Sequence, residues 1–541
     1  MTKKRWAGAA LAALMAQGVF AGGINTNTNM SVAFDRTLSR DAIIATDGVY
    51  FNPAGVVFLA PGFHYSMGWQ LITQRRYIDN SYALYANNTA NPTTSREFKG
   101  KALAPFFPTF QMAYNRGKFS FQVNAGVSGG GGKCTFDDGL GSFEKIVSET
   151  AMAASGLATT IDNALGQQLL SAGVPAALVQ QLGTKGFSSD SYFGSKGSYS
   201  ATSYMRGRQY YYGLSLGVAY KLTGDLGVFA GARGVYASSN YYGYVRNIKV
   251  GNVPLYTVLD ASKTNSADIE LNCDQSGFGV TPIIGVDYRL GRWNFAAKYE
   301  FKTRMRLKNS AVNQFPSIGN LGSNLATALV TNLQKAELSA ELSAEMAQTV
   351  TNATLTSSQV SATTSMLKQK FDEGINTATG EYQDGKKIAG DLPAILSVGV
   401  AYTPIDQVRL NAGFHYYYDK QAKQYNDRQK NLKRGTIEYS CAVEYDPAKW
   451  LTVSAGYQRT SYGLTKDYMD DKSFVVSSDG VGCGFAIKTS ARSRVNVGYF
   501  HSFYETMNTS KDVDLNGTKV PYTADFTRHN NVFGVGLDLD L

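Results

Sequence analysis

Residues 437–457 of the sequence, IEYSCAVEYDPAKWLTVSAGY, contain two alternating segments joined by a short turn. On both sides of Asp446-Pro447-Ala448-Lys449, apolar side chains occupy every second position, and small or polar residues occupy most positions between them. This period of two is that of a β-strand with one face in apolar surroundings. Segments of about ten residues with this pattern are typical of the wall of a transmembrane β-barrel. The stretch therefore predicts a β-hairpin of such a wall.

The same pattern recurs along most of the chain from residue 59 onward. We count about fourteen such segments, an even number as expected for a single-chain bacterial barrel. Tight turns and long loops alternate between them, which places the tight turns in the periplasm and the long loops outside. Charged residues make up 17% of the chain, below the usual quarter or so of a soluble domain. We predict an all-β fold, a transmembrane antiparallel barrel formed by residues 59–541.

The faces opposite the apolar ones carry charged side chains. We predict that these point into the lumen, where water or partner charges can satisfy them, so that the lumen is polar along much of its wall. They are Arg233, Asp287, Arg289, Lys298, Glu300, Arg409, His415, Glu438, Glu444, Asp538 and Asp540.

The N-terminus has the pattern of a secretory signal peptide at residues 1–21. Lys3, Lys4 and Arg5 precede a short apolar run, and Val19-Phe20-Ala21 forms a cleavage site. The apolar run is shorter than the roughly 20 residues that span a bilayer. Residues 22–58 follow, with neither strand nor long-helix periodicity, and we predict that the barrel is wrapped around them.

Two long insertions interrupt the strands, at about residues 133–208 and 308–390. In the first, Leu157, Ile161, Leu165 and Leu169 recur every four residues, which predicts an amphipathic helix. The second has leucines with helical spacing. Loops of this length usually carry function. The leucines of the second insertion are Leu325, Leu329, Leu333, Leu338 and Leu342.

The cysteines and histidines show no pattern of a metal or catalytic site. Cys134 and Cys273 fall in outer loops and could form a disulfide in an oxidising compartment, whereas Cys441 and Cys483 fall in the lipid-facing register. No metal-ligand spacing and no hydrolase motif occurs, so we expect neither an enzyme nor a cofactor. The formal charge is +10; three of these charges lie in the leader and the rest are scattered singly, so nucleic acid is not an expected partner.

The stretch Val49-Tyr50-Phe51-Asn52-Pro53-Ala54-Gly55 stands directly before the first strand. In this position it resembles the N-terminal motif of the FadL family of outer-membrane transporters for hydrophobic compounds. The resemblance implies passive uptake of hydrophobic small molecules, such as long-chain fatty acids or aromatic hydrocarbons, by a monomer among the lipids of a bacterial outer membrane.

The resemblance also implies roles for parts of the chain. Residues 22–58 would be a hatch within the lumen, with its motif at Phe51, Asn52, Pro53, Ala54 and Gly55. The third strand, Phe119 to Ser128, would carry an inward kink through which cargo leaves sideways, with Gly126, Gly129 and Gly130 as kink residues. The leucine-bearing helices of residues 308–390 would capture cargo.

The motif has a second interpretation from its physical chemistry. Pro53 fixes its own φ and biases Asn52 away from helix, so the motif could be a structural bend that feeds the first strand instead of a contact for cargo. A second function is likewise open: a structural or adhesive surface barrel that acts through its large outer loops. The extra insertion at 133–208 and the terminal Leu541 depart from the family pattern.

Overall fold

The computed structural model describes residue 26 and residues 30–182, 192–335, 358–472, 474–515 and 518–541. The predicted signal peptide lies outside the described residues, as do Leu338 and Leu342.

The wall is one antiparallel sheet of eighteen strands, which come in chain order with helices in three of the connections. The strands are β1 (Gly62–Tyr82), β2 (Ser95–Arg116), β3 (Phe119–Phe136), β4 (Tyr199–Lys221), β5 (Leu226–Val250), β6 (Val253–Pro254), β7 (Ile269–Leu290), β8 (Trp293–Glu300), β9 (Arg306–Ala311), β10 (Lys387–Ala389), β11 (Ile395–Ile405), β12 (Val408–Tyr417), β13 (Thr436–Ala448), β14 (Leu451–Ser461), β15 (Ser478–Ser490), β16 (Ser493–Tyr504), β17 (Met507–Leu515) and β18 (Thr518–Asp540). The helices are α1 (Val32–Thr37), α2 (Gly48–Phe51), α3 (Gly141–Ser171), α4 (Ala176–Leu182), α5 (Tyr256–Leu259), α6 (Leu321–Lys335) and α7 (Ser358–Thr379).

These strands occupy fourteen positions around a closed barrel. β8 and β9 share one position, since both pair with β7. β10 and β11 share the next position, since β10 pairs with β9 and β11 with β8. β16 and β17 share a third, since both pair with β18. β6 is a two-residue extension at the end of β5. β1 pairs with β18 from His64–Asp540 to Tyr82–Tyr522, which closes the sheet. The predicted barrel of about fourteen strands is confirmed.

The connections differ at the two ends of the barrel. At one end, here called the short-turn end, hairpins such as residues 117–118, 291–292 and 406–407 join neighbouring strands. At the other, the long-loop end, lie the two insertions and the shorter loops. Phe63 and Leu541 exchange backbone hydrogen bonds of 2.8–2.9 Å at the short-turn end, so the first and last strands meet there.

The outward face of the barrel is apolar, as the alternation predicts. Side chains two residues apart, for example Leu214, Leu216 and Val218 on β4, are exposed, while their neighbours face inward. Cys441 and Cys483 are exposed on this outward face, which confirms the predicted orientation. Such an outer surface requires a hydrocarbon environment.

Helices α3 to α7 pack together at the long-loop end, and we call these five helices the cap. Leu157, Ile161, Leu165 and Leu169 are buried in its apolar core, which confirms the amphipathic helix predicted there. None of the described helices is long and apolar enough to cross a membrane.

The strands extend far beyond the part of the wall whose outward face is apolar, here called the apolar band. The predicted loop bounds were therefore too wide. β5 has 25 residues, against the roughly 9–11 that cross a bilayer. β3 ends at residue 136 and β4 begins at residue 199, so the first insertion is shorter than 133–208. In the second, β9 and β10 pair at Lys308–Lys387 and leave residues 312–386 as the connection.

The suggested disulfide is wrong for this structure. Cys134 on β3 and Cys273 on β7 are both free and buried. Across the sheet, Cys134 pairs with Gly207 on β4, Gly207 pairs with Tyr241 on β5, and Tyr241 pairs with Cys273. Three interstrand steps of about 4.8 Å therefore separate the two cysteines. A disulfide tolerates a Cα separation of at most about 7 Å.

Candidate functional site

Residues 30–58, here called the N-terminal segment, lie inside the barrel at its short-turn half. α1 contacts β14, β15, β16 and β18 on one side of the wall. α2 contacts β2 and β3, and the helical turn Gly55–Phe58 contacts β4, β5 and β7. Most of its residues are buried. The segment thus touches the wall on several sides.

Local hydrogen bonds shape the segment. The hydroxyl of Ser31 caps α1 by accepting from the backbone N–H of Phe34 at 3.0 Å, and it donates to the carboxylate of Asp47 at 2.9 Å. α1 ends at Leu38, which adopts the left-handed conformation with φ 55°. The chain then folds back, so that the rings of Phe34 and Phe51 stack at 5.3 Å between centroids.

A buried cluster of charges ties the segment to the wall. Arg36 lies 2.7 Å from a carboxylate oxygen of Glu444 on β13 and donates to the hydroxyl of Ser454 at 2.8 Å. Arg40 lies 3.7 Å from the same oxygen and binds Asp47 through two hydrogen bonds of 2.7 and 2.8 Å. Arg409 reaches the other oxygen of Glu444 at 3.3 Å. One wall carboxylate therefore serves two arginines of the segment.

A second ionic contact lies nearby. The imidazole of His415 on β12 is placed between two carboxylates, 2.8 Å from Asp41 of the segment and 3.1 Å from Glu438 on β13. Because both ring nitrogens face oxygens, a doubly protonated imidazolium fits this position. His415 therefore links the segment to the wall.

The motif residues 51–55 form a third contact between the segment and the wall. The side chain of Asn52 donates to Asp287 on β7 at 2.6 Å and accepts from the backbone N–H of Gly55 at 3.3 Å. The carbonyl of Pro53 accepts from Gln122 on β3 at 2.7 Å, and Ala54 packs in a small apolar cluster. The described contacts of the motif thus brace the segment against the wall.

Replacing Asn52 tests this bracing. Asn52→Ala removes a donor to the buried Asp287 and should cost about 1–3 kcal/mol, while Asn52→Asp should cost more because two carboxylates then face each other. We expect faster hydrogen exchange at the amides of residues 48–56 in both variants, and fastest in Asn52→Asp. Asn508→Ala, which breaks an exposed Asn–Asp hydrogen bond of 2.8 Å, is the matched control. Unchanged exchange in Asn52→Asp would contradict the role of this contact.

Tyr50 is held by two cations of the wall. The guanidinium of Arg233 and the ammonium of Lys298 lie 4.9 and 4.6 Å from the centre of its ring. Lys298 also donates to the carbonyl of Tyr50 at 2.7 Å, and both cations pair with Glu300. The charged lumen face predicted from the alternation is confirmed for these residues, which are buried under the segment.

Inward glycines of the wall make room for α1. A Cβ atom at Gly456 would overlap the carbonyl oxygen of Thr37, and one at Gly484 would lie 2.8 Å from the Cβ of Arg36. Asp35 sits against Gly534, and its carboxyl has no hydrogen-bond partner among the described residues. Burial raises the pKa of this carboxyl well above its usual range, which favours its protonated form.

The wall itself is interrupted between β2 and β3. The strands pair from Gly100–Phe136 to Ala102–Cys134 and again from Thr109–Gly126 to Arg116–Phe119. Between these stretches, no ladder pair joins described residues of the two strands. We call residues 103–108 of β2 and 127–133 of β3 the unpaired seam.

The composition of both strands explains the seam. Pro105 and Pro108 of β2 have no backbone N–H to donate to a neighbour. On β3, Gly130 (φ 105°) and Gly132 (φ 69°) adopt conformations that side chains disfavour, and the register with β4 shifts on both sides of Gly129. Neither strand can therefore continue a regular ladder there.

The predicted kink residues lie at this seam. Gly129 and Gly130 are within it, and Gly126 is its last paired neighbour, where a Cβ would come within 2.8 Å of the Met30 side chain. The two prolines on β2 were not singled out from the sequence. Because the two prolines lie opposite the glycine run of β3, they were the sequence signal that could have identified the β2 side of the seam.

A cavity of about 50 Å³ adjoins the seam within the lumen. Its lining combines the cations Arg76 and Lys472 with the apolar side chains of Phe136 and Met205, and it includes Gly132 of the seam. A cavity of this size admits a small acidic group, with which the two cations can pair.

Two of the five predicted capture leucines have described side chains, and neither of them lines an open groove. Leu325 and Leu329 are fully buried in the apolar core of the cap. The side chain of Leu333 lies outside the described part of the chain, as do Leu338 and Leu342. A smaller apolar cavity of about 20 Å³ lies beside Leu321 and Phe371 in the same core.

No family model matches the sequence, and neither does any curated protein. The structure is similar to that of a Pseudomonas aeruginosa FadL homologue, with a TM-score of 0.57 and 11% identity over 98% of this chain and 100% of that one. It is also similar to the toluene transporter TodX of P. putida, with a TM-score of 0.50 and 12% identity over 97% and 99% of the chains. The chain therefore has the fold of the FadL homologue and TodX, and the predicted resemblance is confirmed for the fold.

Proposed function

We propose that the chain is an outer-membrane channel for passive uptake of hydrophobic small molecules. The unpaired seam is the observation that carries this proposal. It interrupts the wall of the barrel where the outward side chains Leu103 and Phe106 are 56% and 69% exposed. Apolar cargo that reached the lumen could pass between β2 and β3 into the hydrocarbon of the membrane without separating a hydrogen-bonded ladder.

In this proposal a leader of about 21 residues is cleaved, and the N-terminal segment, residues 30–58, acts as a plug. It fills the short-turn half of the lumen, and its ionic contacts with Glu444 and His415 hold it there. Because the plug blocks the short-turn half of the lumen, cargo would leave sideways through the seam. A wide aqueous pore of the porin type would need this volume to be open.

We further propose that the cargo is an acidic amphiphile such as a long-chain fatty acid. The cavity beside the seam supports the acidic head group of this choice, since it has room for a carboxylate and the cations Arg76 and Lys472 can pair with it. TodX, which shares the fold, is a toluene transporter; a neutral aromatic hydrocarbon could meet these cations through its ring face but could not form the charge-assisted hydrogen bonds that a carboxylate forms with them.

Uptake by intact cells tests the function. Cells that express the chain should accumulate labelled fatty acid faster than cells with an empty vector, with no change in the permeation of a hydrophilic sugar. Equal acceleration of both solutes would indicate a general porin and contradict the proposal. Unchanged fatty-acid uptake by a correctly inserted barrel would also contradict it, and would favour a surface barrel that acts through its cap.

A further inference from the structure

A set of basic side chains lies on the outer wall, next to the seam, on β1 to β4. Arg75, Lys101 and Lys133 are exposed, and Arg206 is half-exposed. The strand register places Arg75 beside Lys101, Lys101 beside Thr135, and Thr135 beside Arg206, while Lys133 precedes Thr135 by two residues. Residues two apart share one face of a strand. We call these four side chains the basic row.

The basic row has little compensating negative charge. Lys101 lies 3.9 Å from Asp137, and both side chains are exposed. Among the described residues, Arg75, Lys133 and Arg206 form no salt bridge. The guanidinium of Arg206 donates to the Asn240 amide at 2.8 Å and lies 5.3 Å from the centre of the Tyr242 ring.

Other cations of the wall at this end are neutralised by carboxylates. Arg459 of β14 is paired with both Asp479 and Glu505. Lys99, the next outward position on β2 toward the cap, is likewise paired with Glu97 at 2.7 Å. Among the described residues, three of the four cations of the basic row therefore lack the neutralising carboxylate that Arg459 and Lys99 have.

The basic row stands at the border of the apolar band. On β2, Lys101 and Leu103 are consecutive outward positions, and the exposed Tyr212, Tyr236 and Phe278 continue the border on β4, β5 and β7. Aromatic side chains at such a border mark the level of lipid head groups. Lys101 is the first outward position beyond the apolar Leu103 on β2, so it lies at the level expected for the phosphates of lipids, and Arg206 lies six residues beyond Tyr212 on β4.

We propose that the basic row binds the phosphate groups of a phosphorylated glycolipid whose acyl chains lie on the apolar band beside the seam. Lysine and arginine form charge-assisted hydrogen bonds with phosphate oxygens, and Tyr242 offers a ring for sugar contact. The proposal rests on the outer-membrane location proposed above, in which the long-loop end faces the outside and the row meets the outer leaflet.

Native mass spectrometry of the full chain in detergent tests this site. The probes are purified bisphosphorylated lipid A, the same lipid after removal of both phosphates, and inorganic phosphate. We expect the bisphosphorylated lipid to bind at least about tenfold more tightly than the dephosphorylated one, with weaker binding in high salt. Equal binding of the two lipids would overturn the proposal, and so would displacement of the lipid by millimolar inorganic phosphate.

A triple variant identifies the residues responsible. Arg75→Gln/Lys101→Gln/Lys133→Gln should weaken binding of the bisphosphorylated lipid at least about tenfold. The matched control, Lys308→Gln/Lys387→Gln/Lys511→Gln, removes three exposed lysines of β9, β10 and β17 and should leave binding within about twofold. Equal losses in both variants would overturn the assignment to the basic row. Absence of fatty-acid uptake with intact lipid binding would count against the proposed function alone.

Discussion

Replacing Glu444 with glutamine should release the N-terminal segment from the wall. The substitution keeps the shape of the side chain but removes the charge that Arg36 meets at 2.7 Å and Arg40 at 3.7 Å. Arg40 retains the carboxylate of Asp47, whereas Arg36 would keep neutral partners, the hydroxyl of Ser454 and the carbonyl oxygen of the new glutamine. Breaking a buried ion pair in this way costs about 3–5 kcal/mol.

The loss should appear as susceptibility of the segment to trypsin. When opening and closing are fast, cleavage follows the population of the released form. A loss of about 3 kcal/mol therefore predicts cleavage after Arg36 and Arg40 that is faster by roughly a hundredfold. Intact mass measurement of the folded barrel over time would follow the cleavage.

Glu505→Gln is the matched control for Glu444→Gln. Glu505 pairs with Arg459, but its side chain is 55% exposed, and exposed pairs contribute at most about 1 kcal/mol. Its effect on cleavage should be small. A second substitution, Arg36→Gln in the Glu444→Gln chain, should slow cleavage after Arg40 because it removes the uncompensated charge; only cleavage after Arg40 is compared, since the substitution also removes the trypsin site at residue 36. Equal cleavage of Glu444→Gln and wild type would mean that this cluster does not hold the segment.

The barrel could be predicted from the sequence because its period is local. In each strand, such as residues 437–445, every second side chain faces the same environment. The alternation alone therefore indicated the number of strands and the outward orientation of Cys441 and Cys483. The same alternation indicated that Glu444 and His415 face inward, and both do.

The contacts of the site could not be predicted because they join distant parts of the chain. Nothing in the local sequence pairs Arg36 with Glu444 or Asn52 with Asp287, since those partners are brought together by the closure of the whole barrel. The suggested disulfide failed for the same reason. Loop assignment placed both cysteines in flexible surroundings, but the strands extend beyond the band and fix them three strands apart.

A reversible cross-link across the seam should abolish uptake of hydrophobic cargo. A Cβ atom at Gly132 would lie 3.9 Å from the Cβ of Ala104, close to the roughly 3.8 Å of natural disulfides. Ala104→Cys/Gly132→Cys in a chain otherwise free of cysteine would therefore join β2 and β3 where no ladder between described residues holds them. The covalent bond would prevent the strands from separating, while the plug and the cap remain unchanged.

A cross-link in the paired wall provides the control. Ala455 and Cys483 face each other on β14 and β15, so Ala455→Cys with the natural Cys483 retained would add a disulfide between strands that are already hydrogen-bonded. We expect this chain to transport cargo equally well in its oxidised and reduced states. A difference between these two states of the control chain would reveal a general effect of oxidation on the barrel.

Fatty-acid uptake by the seam variant, before and after reduction, tests lateral exit most directly. We expect the oxidised chain to transport at least about tenfold more slowly than wild type and to recover after reductant is added, because opening of the seam is then the limiting motion. An oxidised chain, fully cross-linked by mass, that transports at the wild-type rate would contradict passage between β2 and β3.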